Sequence, residues 1–534
     1  MWGAYASFSL GKINRGGGFT LGDVRNNNHN LYIGYKDSSS HGYLFPWLGD
    51  CNPVNGSTAY TAKKAEEGTH NLYRLFKEDE IIRKVSLGSE SWEAGRMTLK
   101  IHSFVGPIAD PSSLPISKLR DALCPTISVE LTFNNFDNDE ALVGLFGMQG
   151  VTRPLSDTTQ GRILGVSSTT TYGLAVLADD TISEILDWDC IAAAFTENHP
   201  RVLKRLSEEG GLRFVVPPKS KKTFNLVLGV FQSGVVTSGI ASMRYYSSLF
   251  KDLEDVLEYG LMIDAKRRAL SANMDVFLDE APLLAIQKRL LSHAAHSYIA
   301  STEFLLDTMG KPIFLVNEGE YRMMNTLDLV IDQAFWELIF TPWTVAMELE
   351  FLLSHSSYYD EYGLAFCHDQ GVADSFSPKG TSTYELSNLI GTFSFMSYEE
   401  TLNWALTGCL YINATKNWEW AYDHMEIYEQ ILSSLIARDA NGDGIMDCDS
   451  SRCEDGAEIT TYDSLDTSLS QARNNLYLAV KAWGTFISMQ ALFEKLGSHE
   501  SAQKSLAYAQ RIASTVGAYM LDEGYIPAVF ESGN

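Results

Sequence analysis

The chain has 534 residues, 45% hydrophobic, 11% aromatic and 20% charged, a globular composition too long for one ordinary core. That composition excludes disordered, collagenous and low-complexity classes. With 41 Lys and Arg against 67 Asp and Glu the formal charge is −26, which disfavours nucleic acid and anionic membrane surfaces as partners.

The start, Met1-Trp-Gly-Ala-Tyr5, has neither a basic region nor an unbroken apolar stretch, so no signal peptide is read and a cytoplasmic location is expected. Seven scattered cysteines do not make a disulfide framework. Residues 1–235 read as short strands punctuated by glycines and polar breaks. Thr126 to Phe133 alternates strictly, with Ile127, Val129, Leu131 and Phe133 on one face, the period of a half-buried strand. Leu142 to Met148 and Thr223 to Phe231 read likewise. Many such strands predict an antiparallel sandwich.

Beyond about residue 240 the apolar spacing becomes helical. Helices are expected over Tyr245–Leu270, Leu283–Leu306, Leu327–Ser354, Glu399–Ala414, Ala421–Ile436, Leu465–Leu496 and Glu500–Leu521. The fold class expected is a multidomain β plus α protein. A β-sandwich covers 1–240, a helical linker 241–275, and an all-α domain of helical hairpins 276–534. The apolar stretch Phe335–Leu353 contains Glu337, Glu348 and Glu350, which a bilayer-spanning helix would not tolerate.

Three segments carry candidate chemistry. In Asn317-Glu318-Gly319-Glu320-Tyr321-Arg322, before Asn325, two carboxylates and an arginine crowd a loop, and Arg322 would favour an ionised acid. A solvated turn with a local ion pair explains the same residues. In Glu458-Ile-Thr-Thr-Tyr462-Asp463-Ser464-Leu-Asp466, Asp463 or Ser464 would cap the helix that follows. Alternatively, Asp463 is a proton donor whose pKa is raised by an apolar pocket. Between them, Asp439, Asn441, Asp443 and Gly444 follow the spacing of the first half of a calcium loop; Ser450 stands where the bidentate Glu belongs, and Asp447 or Asp449 could substitute. The competing explanation is an acidic surface turn. His368 is polar enough for a site but lacks partners at zinc spacing.

Val316-Asn-Glu-Gly-Glu-Tyr-Arg-Met-Met-Asn-Thr326 resembles the nucleophile segment of the family 52 glycoside hydrolases, β-xylosidases. Glu458 to Asp466, continuing through Gln471-Ala-Arg-Asn-Asn-Leu-Tyr-Leu478, resembles that family's acid/base segment. Gly161 to Gly165, Ala4 to Gly11 and Gly524 to Ala528 fit the same family, so the resemblance runs over essentially the whole chain. It implies a β-sandwich on an (α/α)6 barrel, and exo-acting, retaining hydrolysis of β-1,4-xylo-oligosaccharides. Glu318 would be the nucleophile and Asp463 the general acid/base, with Glu320 and Asp466 as their decoys. Arg322, Asn325, His368, Arg473 and Asn474 are candidates for holding sugar hydroxyls.

No cofactor is required for that chemistry, and a structural calcium ion is the one candidate. A homodimer is implied by analogy. About eight helices are read where a closed (α/α)6 barrel needs twelve, so an incomplete barrel is expected. A related β-glucosidase or glycoside phosphorylase of the same architecture, and a non-catalytic calcium- or sugar-binding fragment, are the alternatives.

Overall fold

The computed structural model describes residues 1–11, 15–39, 41–49, 72–187, 189–196, 208–319, 321–383, 395–453 and 457–531, apart from the side chains of Asp463 and Ser464. Glu320 lies outside the described residues. The chain divides into two compact units. One comprises 1–106, 111–236 and 242–312, and the other 107–110, 237–241 and 313–534.

The first unit holds a six-stranded and an eight-stranded sheet, antiparallel among the described residues except where Gly42–Leu44 pairs with Tyr73–Leu75. Thr126–Asn134 sits inside the larger sheet, antiparallel to Lys221–Val230 on one side and Met97–His102 on the other. Its apolar face enters the core between the sheets. There Phe133 and Phe224 of the larger sheet surround Phe214 of the smaller, with ring centroids 6.4 Å and 4.5 Å away.

The opposite face is not open to water. Thr126 and Ser128 are buried as well, because the helix Leu253–Glu280 packs on that side. Arg267 of this helix donates to the carbonyl and hydroxyl of Thr126 at 2.9 Å each, and to the Cys124 carbonyl at 2.9 Å. The helix begins at its Asp252 cap, whose side chain accepts from the Asp255 N–H. Residues 241–275, expected as a helical linker, hold most of this helix, which packs on the sheet, and the first compact unit runs to residue 312.

The helix expected to reach Leu306 ends at Ser301 and turns into the strand Thr302–Asp307. Glu303 pairs there with the fully buried Arg244 of the antiparallel strand Ser242–Arg244, an ion pair that tertiary structure alone specifies. The six described cysteines are all free thiols.

The second unit is helical. Leu327–Phe340 and Pro342–Phe351 form a hairpin with Pro342 at the first helical position, where its missing N–H costs nothing. Ser397–Thr415 packs on Leu327–Phe340 and on Leu476–Leu496, which is itself paired with His499–Ala518 across Gly497 (φ 82°). Trp404, fully buried, stacks on Phe366 at 5.4 Å and donates its indole N–H to the Leu349 carbonyl at 3.1 Å.

The helix expected from Leu465 starts at Leu476. Asn475 is its cap, accepting from the N–H groups of Tyr477 and Leu478. The residues before it form short 3-10 turns, Thr461–Ser464 and Thr467–Leu469. Among the described residues no helix is long and apolar enough to cross a membrane.

Candidate active site

The strand Pro312–Val316 delivers the chain into a tight loop that bears Glu318. The Glu318 N–H donates to the Met323 carbonyl at 2.7 Å, the Arg322 N–H to the Glu318 carbonyl at 3.0 Å, and the Asn325 N–H to the Val316 carbonyl at 3.0 Å. Arg322 (φ 60°) and Asn325 (φ 55°) supply the left-handed turns that close it, a conformation Asn tolerates better than most residues. The returning limb then binds residues 370–373. Met324 N–H donates to the Gly371 carbonyl at 2.8 Å and Ala373 N–H to the Arg322 carbonyl at 2.9 Å. Leu327 N–H donates to the His368 carbonyl at 2.8 Å, so His368 and the start of the Leu327–Phe340 helix are brought to the same place.

Glu318 is half-buried. Burial pushes its carboxyl above the ordinary range, the charge of His368 pulls it back, and Asp328 and Asp369 push it up again. The cation whose charge acts on Glu318 is His368. Its Nδ1 lies 3.0 Å from Asp369 Oδ2 and its Nε2 3.8 Å from Asp328 Oδ1. Burial opposes a charged imidazole, but the Asp369 hydrogen bond and the charges of Asp328, Asp369 and Glu400 raise it to about 10. Asp328, His368 and Glu400 present ligand-capable atoms within 4.8 Å of one another.

This cluster continues into the second candidate segment. Glu400 neighbours Glu399, which is fully buried at the start of the Ser397–Thr415 helix. Glu399 accepts from Thr460 Oγ1 at 2.8 Å, Thr461 N–H at 3.0 Å, Thr461 Oγ1 at 2.6 Å, Tyr477 OH at 2.8 Å and Lys481 Nζ at 2.9 Å. Burial would raise its pKa, but Lys481 and the Thr461 hydrogen bonds hold it below the ordinary value. The Asp328 carboxyl feels both Glu399 and Lys481. One electrostatic network therefore joins the Glu318 loop to the turn that carries Asp463.

Since Asn475 caps the following helix, Asp463 is not needed there. Asp466 is occupied, its side chain accepting from the Ser468 N–H at 2.9 Å. Glu458 is structural. It is fully buried and receives the Tyr398 and Ser450 N–H groups and the Arg438 guanidinium.

The remaining expected residues divide. Asn325 is buried inside the Glu318 loop, its amide within 3.4 Å of Val316 N and of Gln370 Oε1. Arg473 pairs with Asp449 at 3.2 Å, and Asn474 (φ 52°) donates its N–H to the Met446 carbonyl at 3.0 Å, so both attach to the acidic loop.

In that loop Asp439 accepts from the N–H groups of Gly442, Asp443 and Gly444, and Asp447 from those of Ala440 and Asn441. Asn441 and Asp443 likewise accept from Asp443 N–H and Ile445 N–H. Oxygen donors of this kind suit a hard cation. Gly442 (φ 79°) and Gly444 (φ 91°) supply the sharp turns.

Asp328, Asp369, Glu399, Glu400, Tyr477 and Lys481 were not among the residues expected from sequence. The available signal was Glu399-Glu400, two adjacent acids opening an otherwise uncharged helix. Acids at a helix start usually just complement its dipole.

The sequence matches Glycosyl hydrolase family 52 over residues 8–411, a span that includes Glu318, Asp328, His368 and Glu399 and ends before the Asp463 turn. A β-xylosidase of Geobacillus stearothermophilus is 35% identical over 566 residues, covering 100% of this chain and 78% of its own. A second β-xylosidase of that organism is 31% identical over 554 residues, covering 98% of this chain and 88% of its own. Among solved structures, a bacterial glucoamylase complexed with acarbose aligns at 10% identity and a TM-score of 0.39, covering 83% of this chain and 59% of that one.

Proposed function

The chain belongs to glycosyl hydrolase family 52 and is a glycoside hydrolase; from that premise we propose that it is an exo-acting, retaining β-xylosidase. The observation that carries the substrate is the 35% identity to a β-xylosidase across the whole chain, both candidate segments included.

The chemistry assigned to the site is a double displacement. Glu318, ionised, attacks the anomeric carbon as the glycosidic C–O bond breaks, and Asp463 gives its proton to the departing oxygen. Water then attacks the glycosyl–Glu318 ester, Asp463 takes the water's proton, and the Glu318 carboxylate is released. The His368 cation next to Glu318 supports an ionised nucleophile despite its burial. The network from Asp328 through Glu399 supports convergence of the two acids.

Initial rates on aryl β-xyloside and aryl β-glucoside, with and without phosphate, test the reading. A kcat/KM at least about tenfold higher for the xyloside is expected, since a pocket that excludes the extra hydroxymethyl group discriminates by roughly 1–3 kcal/mol. Equal rates on both sugars, or release of a sugar phosphate, would contradict it.

A further inference from the structure

We infer that Glu399 is the positioning residue for the general acid: one buried carboxylate, fixed by Lys481, holds the three residues before Asp463 and so sets where that acid meets the leaving-group oxygen. The inference rests on the proposed glycosidase reading of the same site.

The geometry is unusually complete. Thr460 reaches Glu399 through its hydroxyl, and Thr461 through both its hydroxyl and its backbone N–H. Tyr462 is held one step removed. Its ring stacks on Tyr477 at 4.5 Å and 23°, and the Tyr477 hydroxyl donates to Glu399. Asp463 is the next residue, in the same 3-10 turn.

Glu399 is itself immobilised. Lys481 binds it at 2.9 Å, also donates to Asn403 Oδ1 at 2.8 Å, and lies over the Tyr477 ring at 4.6 Å. Lys481 and Tyr477 sit one turn apart on the Leu476–Leu496 helix, and Glu399 and Asn403 one turn apart on Ser397–Thr415. The turn is thus fixed to two rigid helices instead of relying on its own loop.

Glu399 is not a donor in the reaction. It is fully buried and saturated with five donated hydrogen bonds, and the charge of Lys481 favours its ionised form. A carboxylate so placed acts through what it holds.

The first displacement makes this separable from a merely structural role. The Glu318–C1 bond forms, the C1–oxygen bond breaks, and the oxygen leaves with the Asp463 proton. A leaving group that is already a weak base does not need that proton. A misplaced acid therefore harms poor leaving groups selectively, whereas a loosened fold harms all substrates.

The test uses the full chain and its variant Glu399→Gln on phenyl and 2,4-dinitrophenyl β-xyloside, comparing kcat/KM. General acid catalysis contributes about 10²–10⁴-fold, so a loss of about 100-fold is expected on the phenyl glycoside and less than about fivefold on the dinitrophenyl one. Added azide, a nucleophile needing no general base, is expected to restore kcat on the activated substrate. Thr461→Val, which removes one hydrogen bond and keeps the backbone, is expected to shift in the same direction by a smaller factor, and it serves if Glu399→Gln does not fold. Equal losses on both substrates for the folded variants would overturn this inference alone. A wild-type chain inactive on both xylosides would overturn the proposed function and this inference with it.

Discussion

His368 and Asp369, neighbours in sequence, form a buried ion pair with Nδ1 3.0 Å from Oδ2. Asp369 is fixed on its other oxygen by the N–H groups of Gly371 and Thr383 and by the Thr383 hydroxyl. The cation next to Glu318 is therefore built into the fold.

A pH dependence follows. The folded His368 titrates at about 10, above the roughly 6.5 of a free imidazole. A raised histidine contributes stability that is full below about pH 6.5 and is lost progressively as pH rises toward about 10. Denaturant unfolding at pH 6 and pH 9 should show wild type losing more stability across that interval than His368→Gln. Equal losses would remove His368 as the buried cation.

The two acids of the second segment should separate cleanly. Asp466 is fully exposed and satisfied by the Ser468 N–H, so Asp466→Ala should leave kcat/KM on phenyl β-xyloside within about twofold. Asp463→Ala should cost about 10²-fold or more. The reverse ranking would move the acid/base role to Asp466.

The helical hairpin carries a destabilising acid. Glu348 and Glu337 are both fully buried, and burial, then the Glu337 charge, push the Glu348 carboxyl well up. Gln333 donates to it at 2.9 Å. A raised carboxyl must take up a proton on folding, so it costs stability increasingly as pH rises above about 4.3. Glu348→Gln should therefore raise Tm by about 2 °C or more at pH 8 and not at pH 4, read by calorimetry. A loss of Tm at pH 8 would show that the acid is held there as a useful charge.

The acidic loop gives a metal prediction. Asp439, Asn441, Asp443 and Asp447 each accept a loop N–H, hydrogen bonds that would hold the turn in the absence of a cation. EDTA should shift Tm by less than about 1 °C, a shift worth only a few tenths of a kcal/mol in a domain this size. A larger fall restored by calcium would establish these residues as ligands.

The strand period was legible in the apolar Ile127 to Phe133 face, which enters the core as expected. The pattern misled where a second layer covers the outer face. Thr126 and Ser128 look solvent-directed in sequence but lie under the Arg267 helix. It misled again at Leu465–Ser470, whose apolar spacing suits a helix, while Asn475 provides the stronger cap downstream. Glu318 and Asp463 stood out because long motifs surround them. Glu399 and Lys481 did not, because a buried ion pair between two helices is created by tertiary packing and leaves no local pattern. His368 acts on Glu318 from fifty residues downstream, a relation that the sequence around Glu318 does not carry.

A retaining mechanism requires Glu318 to become covalently linked to the sugar. Brief incubation with 2,4-dinitrophenyl 2-deoxy-2-fluoro-β-xyloside, followed by proteolysis and mass spectrometry, reads this directly. One fluoroxylosyl group on Glu318 is expected, with stoichiometric loss of activity. A label on Glu320 or any other carboxylate, or continued turnover with none, would contradict it.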